Sequence, residues 1–244
     1  MMRIILCEGE TDLILLGLYL ESTCGWKYER KPKHPLKIPK ANSGGNKKSE
    51  TYSKESAELI ICCVGGKDNF GDFFKTYISP LLFYSDKDES DFRIALVTDA
   101  DSRSVDEIET DMLEQLSPTI HAMHNNEWTA SSSLNSYEDP INIEFLLCII
   151  PRTGSGALET VLMDSLAEMR DGETIVVESN QFIDNLPANV YLPSDRLKLK
   201  AKLGVALSVI YPDKVFSQFD NQLRIVDWSS STTLAECFEK LVEI

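Results

Sequence analysis

Four short runs that are apolar at nearly every position constrain this chain most: Met2–Cys7 (MRIILC), Leu59–Val64 (LIICCV), Phe92–Thr98 (FRIALVT) and Ile143–Ile150. A strand with one face in water alternates polar and apolar residues, whereas a continuously apolar strand has both faces covered. Segments with helical character stand between these runs. Leu13–Leu20 is one, with Thr11 or Asp12 as its cap, and Phe70–Tyr84 is another. Val105–Leu116 spaces Ile108, Met112 and Leu116 along one helical face, and Ala157–Met169 follows a Gly154-Ser155-Gly156 turn. Strand and helix thus alternate four times. That order predicts an α/β fold, with a four-stranded parallel sheet flanked by helices. Sheets of this kind bind ligands beyond the carboxyl ends of their strands.

The alternation covers residues 1–170, which read as one domain. From Asp171 the pattern turns mainly helical, with Arg196–Tyr211 and Thr232–Val242 as candidate helices, and 171–244 is expected to pack on the same domain as an extension. Residues 27–54 interrupt the first domain with a Pro-, Lys-, Ser-, Asn- and Gly-rich stretch, predicted as a long loop. The net charge is −15, which argues against a general nucleic-acid coat. Lys27–Lys54 nevertheless holds about nine Lys or Arg against two Glu, leaving about −22 on the remainder. This basic segment reads either as a solvated surface loop or as a local guide for a phosphate backbone.

No apolar run approaches the length of a membrane span. The strand-like run from Met2 leaves no room for a signal peptide. None of the six cysteines forms a C-x-x-C pair, and four lie inside apolar runs, as expected of small hydrophobes in a reducing cytoplasm. A cytoplasmic protein that does not enter membranes is therefore expected.

Glu8 directly follows the first strand, Asp99 directly follows the third, and Asp101 lies two residues on. Neighbouring strands would bring the three carboxylates to one edge of the sheet. Like charges so placed repel unless a cation sits among them. Oxygen ligands without Cys or His select hard ions: magnesium, manganese or calcium.

The segments ILCEGETD (Ile5–Asp12) and ALVTDADS (Ala95–Ser102) resemble the Toprim domain of topoisomerases, primases and OLD-type nucleases. That family carries a glutamate after its first strand and D-x-D after its third. The resemblance puts Glu8 in the glutamate role and makes Asp99 and Asp101 the metal-binding pair for Mg2+ or Mn2+. Glu10 and Asp12 fit the local E-G-x-x-D pattern and would support the ligands. In OLD-like members a glutamate on the helix after the fourth strand helps hold a second metal, and Glu159 in PRTGSGALETVL corresponds. Those members also carry a downstream lysine; Lys200 and Lys202 in KAKLGVALSV are the candidates. The segment also resembles the C-terminal part of small stand-alone Toprim-like proteins. The likeness covers Met2–Leu166, and more weakly Lys200–Ile244. It departs at Arg103, where topoisomerases and primases commonly have glycine after D-x-D, and in the basic insertion. Haloacid-dehalogenase-type phosphotransferases also use D-x-D after a strand, but near the chain start and continuing D-x-D-x-[TV], and Glu8 would have no role there.

Weaker signals have simple structural readings. Gly65–Asn69 reads first as a tight turn, although Lys67 within it could reach a scissile phosphate. Gly154–Gly156 reads as a plain turn at a helix start, and His121 and His124 as surface residues rather than zinc ligands. No G-x-x-x-x-G-K-[ST] is present, since GGNKKS at Gly44–Ser49 has the wrong spacing. Two functions follow from the resemblance. One is a metal-dependent nuclease acting on DNA or RNA, with a separate ATPase as partner; some such pairs act in phage defence. The other is a non-catalytic nucleic-acid-binding or sensor subunit.

Overall fold

The computed structural model describes residues 1–30, 48–86, 91–117, 119–187, 191–214 and 219–244. The chain order is β1 (Met2–Cys7), α1 (Glu10–Cys24), β2 (Lys27–Tyr28), β3 (Lys48–Lys54), β4 (Ala57–Cys63), α2 (Phe70–Phe73), a π-helical segment (Phe74–Ile78) and α3 (Ser79–Phe83). Then come β5 (Asp91–Asp99), α4 (Val105–Leu116), β6 (Trp128–Leu134), β7 (Pro140–Ile150), α5 (Leu158–Ala167), α6 (Gly172–Asp184), α7 (Asp195–Ile210), α8 (Phe219–Leu223) and α9 (Thr232–Cys237). The strands form one sheet in the order β2-β3-β4-β1-β5-β7-β6.

The four apolar runs are its centre. β4, β1, β5 and β7 lie side by side and parallel, with Ile5 paired to Ile61 on one flank and Ala95 on the other. The sheet is nonetheless mixed and seven-stranded, which corrects the expectation of four parallel strands. β3 adds antiparallel to β4, β2 to β3, and β6 to β7. Two of the added strands come from the expected loop at 27–54, and the third from the polar stretch His124–Asp139. Their polarity follows from their place. An outer antiparallel strand need not be covered along both faces: β3 buries only Thr51 and Tyr52, which point to opposite faces, and β6 stays at least partly exposed throughout. Residues 31–47 of the basic segment, with most of the GGNKKS stretch, lie outside the described residues.

Both faces of the sheet are covered, so successive strand residues enter different cores. Ile5, Cys7, Ile61, Cys63, Ala95, Val97, Cys148 and Ile150 pack with α1, α5, α6, α7 and α9. Ile4, Leu6, Ile60, Cys62, Ile94, Leu96, Leu147 and Ile149 pack with the Phe70–Phe83 helical stretch and α4. Helix α1 is apolar almost all round, as a fully buried helix must be. Leu13 to Leu16, Tyr19 and Leu20 are all buried, because the C-terminal segment around α8 and Trp228 closes over the side of α1 away from the sheet. Residues after 170 therefore complete the core begun by the first strand. All six cysteines are free thiols. Among the described residues no helix is long and apolar enough to cross a membrane.

Candidate functional site

The parallel register brings the carboxylates together. Cys7 pairs with Val97, so Glu8 stands level with Thr98 at the carboxyl edge. Its Oε1 accepts hydrogen bonds from the Thr98 hydroxyl at 2.6 Å and the Asp99 amide at 2.9 Å. Glu8 and Asp99 are each only 3% exposed. The Glu8 carbonyl accepts from the Gly65 and Gly66 amides at 3.0 and 2.9 Å, which ties the turn after β4 onto the end of β1. That turn delivers Lys67, whose Nζ lies 2.8 Å from Asp101 Oδ2.

Two helix starts face the cluster. At α5 the Leu158 amide donates to Asp99 Oδ1 at 2.9 Å. At α1 the Gly9 amide donates to Asp12 Oδ2 at 2.7 Å. Helix N-termini favour negative charge, so both stabilise carboxylates there. Asp101 has a left-handed backbone (φ 52), which aspartate tolerates better than most residues. Its amide and carbonyl pair with those of Gly156 at 2.6 and 2.8 Å. Gly156 has φ 138, and a Cβ there would meet Thr160 Oγ1 at 2.5 Å, so this contact requires glycine.

The cluster is crowded and largely buried. Burial pushes the Asp99 carboxyl up to about 8, with the charges of Asp12 and Glu8 adding to it. Burial likewise raises Asp12 to about 7; the Gly9 hydrogen bond opposes this, and Glu8 and Glu159 reinforce it. Glu159, in the first turn of α5, is also buried.

Three cations face the carboxylates, each on a different one. Lys67 takes Asp101, Arg196 Nη2 lies 3.3 Å from Asp99 Oδ2, and Lys200 Nζ lies 3.8 Å from Glu159 Oε1. Arg196 and Lys200 are one turn apart on α7, which packs on α5. Burial disfavours the Arg196 charge, but Asp99, Glu8, Glu159 and Asp101 outweigh it and raise its pKa. Lys202 is not brought to the cluster. Two residues beyond Lys200 the helix has turned away, and Lys202 pairs with Asp184 of α6 at 2.9 Å. Arg103, after the D-x-D, pairs with Asp111 of α4 at 2.8 Å. His124 is exposed and lies 3.4 Å from Glu109.

The basic segment re-enters the described residues at this same edge. β3 runs antiparallel to β4, so its first residue, Lys48, lies opposite Cys63, and its ammonium pairs with Glu10. The sequence reading did not single out Arg196, and placed Asp12 behind the ligands rather than buried among them. The Arg196–Lys200 spacing at a helix start was the available signal; the contact with Asp99 depends on how α7 docks.

All five carboxylates offer hard oxygen donors, no His or Cys is among them, and fewer cations than carboxylates face them. This donor chemistry fits a divalent ion such as Mg2+ or Mn2+. The side-chain positions are those of a cation-capped cluster. Among the described residues no three His, Cys, Asp or Glu side chains stand as a ready cage for a metal.

No family model and no curated protein matches the chain. Among solved structures, a hypothetical protein from Pyrococcus horikoshii OT3 aligns over 99% of this chain and 100% of its own, at 15% identity and a TM-score of 0.47. The cytosolic domain of the T. maritima FeoB iron transporter, in a GDP form, aligns over 100% of this chain and 97% of its own, at 11% identity and a TM-score of 0.19. Both likenesses are too distant to bear on what this chain does.

Proposed function

We propose that this chain is a Toprim-type, divalent-metal-dependent phosphodiesterase acting on DNA or RNA. The observation that carries the reading is the junction of β1 and β5, where Glu8 bonds the Asp99 amide and both carboxylates lie buried at the carboxyl edge. Glu8, Asp99 and Asp101 would hold Mg2+ or Mn2+, and Glu159 would contribute to a second ion. A metal so held would supply neutralisation of a phosphate and a water of lowered pKa.

The chain's own residues supply the rest. Thr98 and the Asp99 amide fix the Glu8 carboxylate, and the α5 amide at Leu158 fixes Asp99. Lys200, half exposed beside Glu159, would meet negative charge developing on a phosphate at the mouth. Lys67 faces the cluster from the opposite strand's turn. Lys48 at the same edge offsets some of the field with which an acidic body repels nucleic acid. The absence of a Walker-type motif fits an ATPase supplied as a separate subunit and equally fits a chain that acts alone.

The capped carboxylates favour a second reading, a nucleic-acid-binding or sensor subunit without catalysis. Digestion of DNA and RNA panels with Mg2+ or Mn2+ separates the two. Cleavage by wild type that is lost in Asp99→Ala supports the phosphodiesterase. Binding that is independent of metal, with no cleavage, supports the second reading.

A further inference from the structure

The cations that cap the cluster raise a question about loading. Asp99 is 3% exposed, and its two oxygens are used by the Leu158 amide and by Arg196. Asp101 is taken by Lys67. A metal on Asp99 and Asp101 therefore meets, on each, one oxygen already held by one of the protein's own cations. Arg196 reaches in from solvent, with 46% of its side chain exposed, and touches a single carboxylate oxygen. A one-point contact made from the open side can be released without moving the backbone of α7 or α5. The amide bond to Asp99, by contrast, belongs to the start of α5 and stays.

We infer that Arg196 is a resident counter-ion that a divalent metal must displace from Asp99, so that the arginine sets the metal affinity of the site from within. This rests on the metal reading above. Two ligands competing for one oxygen are negatively coupled, and removing one tightens the other by the coupling free energy. The competition is local. Lys198, on the same turn of α7, pairs with Asp195 instead and carries the same charge. It distinguishes direct displacement from a general loss of positive field.

The test is calorimetric titration of Mn2+ into the metal-free full chain, for wild type, Arg196→Gln and Lys198→Gln. Arg196→Gln is expected to bind Mn2+ at least about fivefold tighter, the lower end of ordinary coupling between ligands, and Lys198→Gln to match wild type. Equal affinity in wild type and Arg196→Gln overturns the inference while leaving the metal reading intact, as does equal tightening in Lys198→Gln. No Mn2+ binding by any of the three removes the metal reading and the inference with it. A further measurement needs no variant. In wild type, saturating Mg2+ should shift the Arg196 side-chain N–H resonance and speed its exchange with water, whereas an unchanged signal with Mg2+ bound overturns the inference.

Discussion

Replacing Asp99 by asparagine in the metal-free protein will raise its stability at high pH and leave it nearly unchanged at low pH. Asparagine keeps the shape and can still accept the Leu158 amide, but it removes one of several like charges. Burial and the neighbouring carboxylates raise the Asp99 carboxyl from 3.8 to about 8. An acid raised on folding binds its proton more tightly in the native state. Its favourable contribution is complete below the unfolded pKa and is lost as pH rises through the folded one. Over about four pH units, at about 1.4 kcal/mol each, charging Asp99 alone costs at most about 6 kcal/mol. Asp12, raised to about 7, shares that cost, because ionising either disfavours ionising the other. The lost contact with half-exposed Arg196 takes back up to about 1 kcal/mol. Asn should therefore exceed Asp by about 2 kcal/mol at pH 9, by less at pH 5, where only part of the charging cost is present, and by about zero below the unfolded pKa of 3.8. Urea unfolding of both proteins in EDTA at pH 5, 7 and 9 measures this. A difference that does not grow with pH, or an asparagine variant less stable at pH 9, would refute the argument that the cluster is repulsive.

Glu168 accepts four hydrogen bonds from the amides and hydroxyls of Thr232 and Thr233, tying α9 to the end of α5. Slight burial opposes its charge, but those bonds outweigh it and hold the carboxyl at about 2. Glu168→Ala should lose about 1–2 kcal/mol at pH 7, after discounting for exposure. Because this pKa is lowered, the loss is full above about pH 4.5 and shrinks as pH falls toward 2, which urea midpoints across that range will check. Gly156→Ala, forced to φ 138 against Thr160, should cost about 1–3 kcal/mol and show as a lower melting temperature; an unchanged value would mean the Asp101–Gly156 pairing is not needed. In the cleavage assay, Lys200→Ala should lower turnover by about 10²-fold, as for a lost charge-stabilising donor, while Lys202→Ala stays within about threefold. The reverse order would place Lys202 at the reacting phosphate and contradict its pairing with Asp184.

What could be read from the chain divides along a physical line. The strands covered on both faces announce themselves: MRIILC, LIICCV and FRIALVT are apolar except for Arg3 and Arg93 near their starts and Thr98 at the end. β3 (KSETYSK) buries only Thr51 and Tyr52 and β6 (WTASSSL) buries no residue fully, and their pairing is decided by the exposed backbone of β4 and β7 rather than by their own composition. Their residues read as loop for that reason. The carboxylates were legible because placement just after an apolar strand fixes a residue's position at the sheet edge whatever the loops do. Arg196 was not. Its meeting with Asp99 spans nearly a hundred positions and depends on α7 docking across α5, which no local pattern encodes.

The same edge shows why the carboxylate cluster is compatible with a stable fold. Backbone amides at the starts of α1 and α5 solvate Asp12 and Asp99, the Asp99 amide and Thr98 solvate Glu8, and three side-chain cations cover Asp101, Asp99 and Glu159. The amides are fixed parts of the secondary structure, whereas Lys67, Arg196 and Lys200 are long, partly exposed side chains. A cation arriving from solvent therefore replaces only side-chain partners and leaves the backbone shell intact. On the proposed metal reading, the carboxylates would keep their backbone-held places with or without the ion, and only the Lys67, Arg196 and Lys200 side chains would need to move. Chelation should accordingly leave the chain folded, because the two cores that cover the faces of the sheet are built from apolar side chains rather than from the carboxylates at this edge.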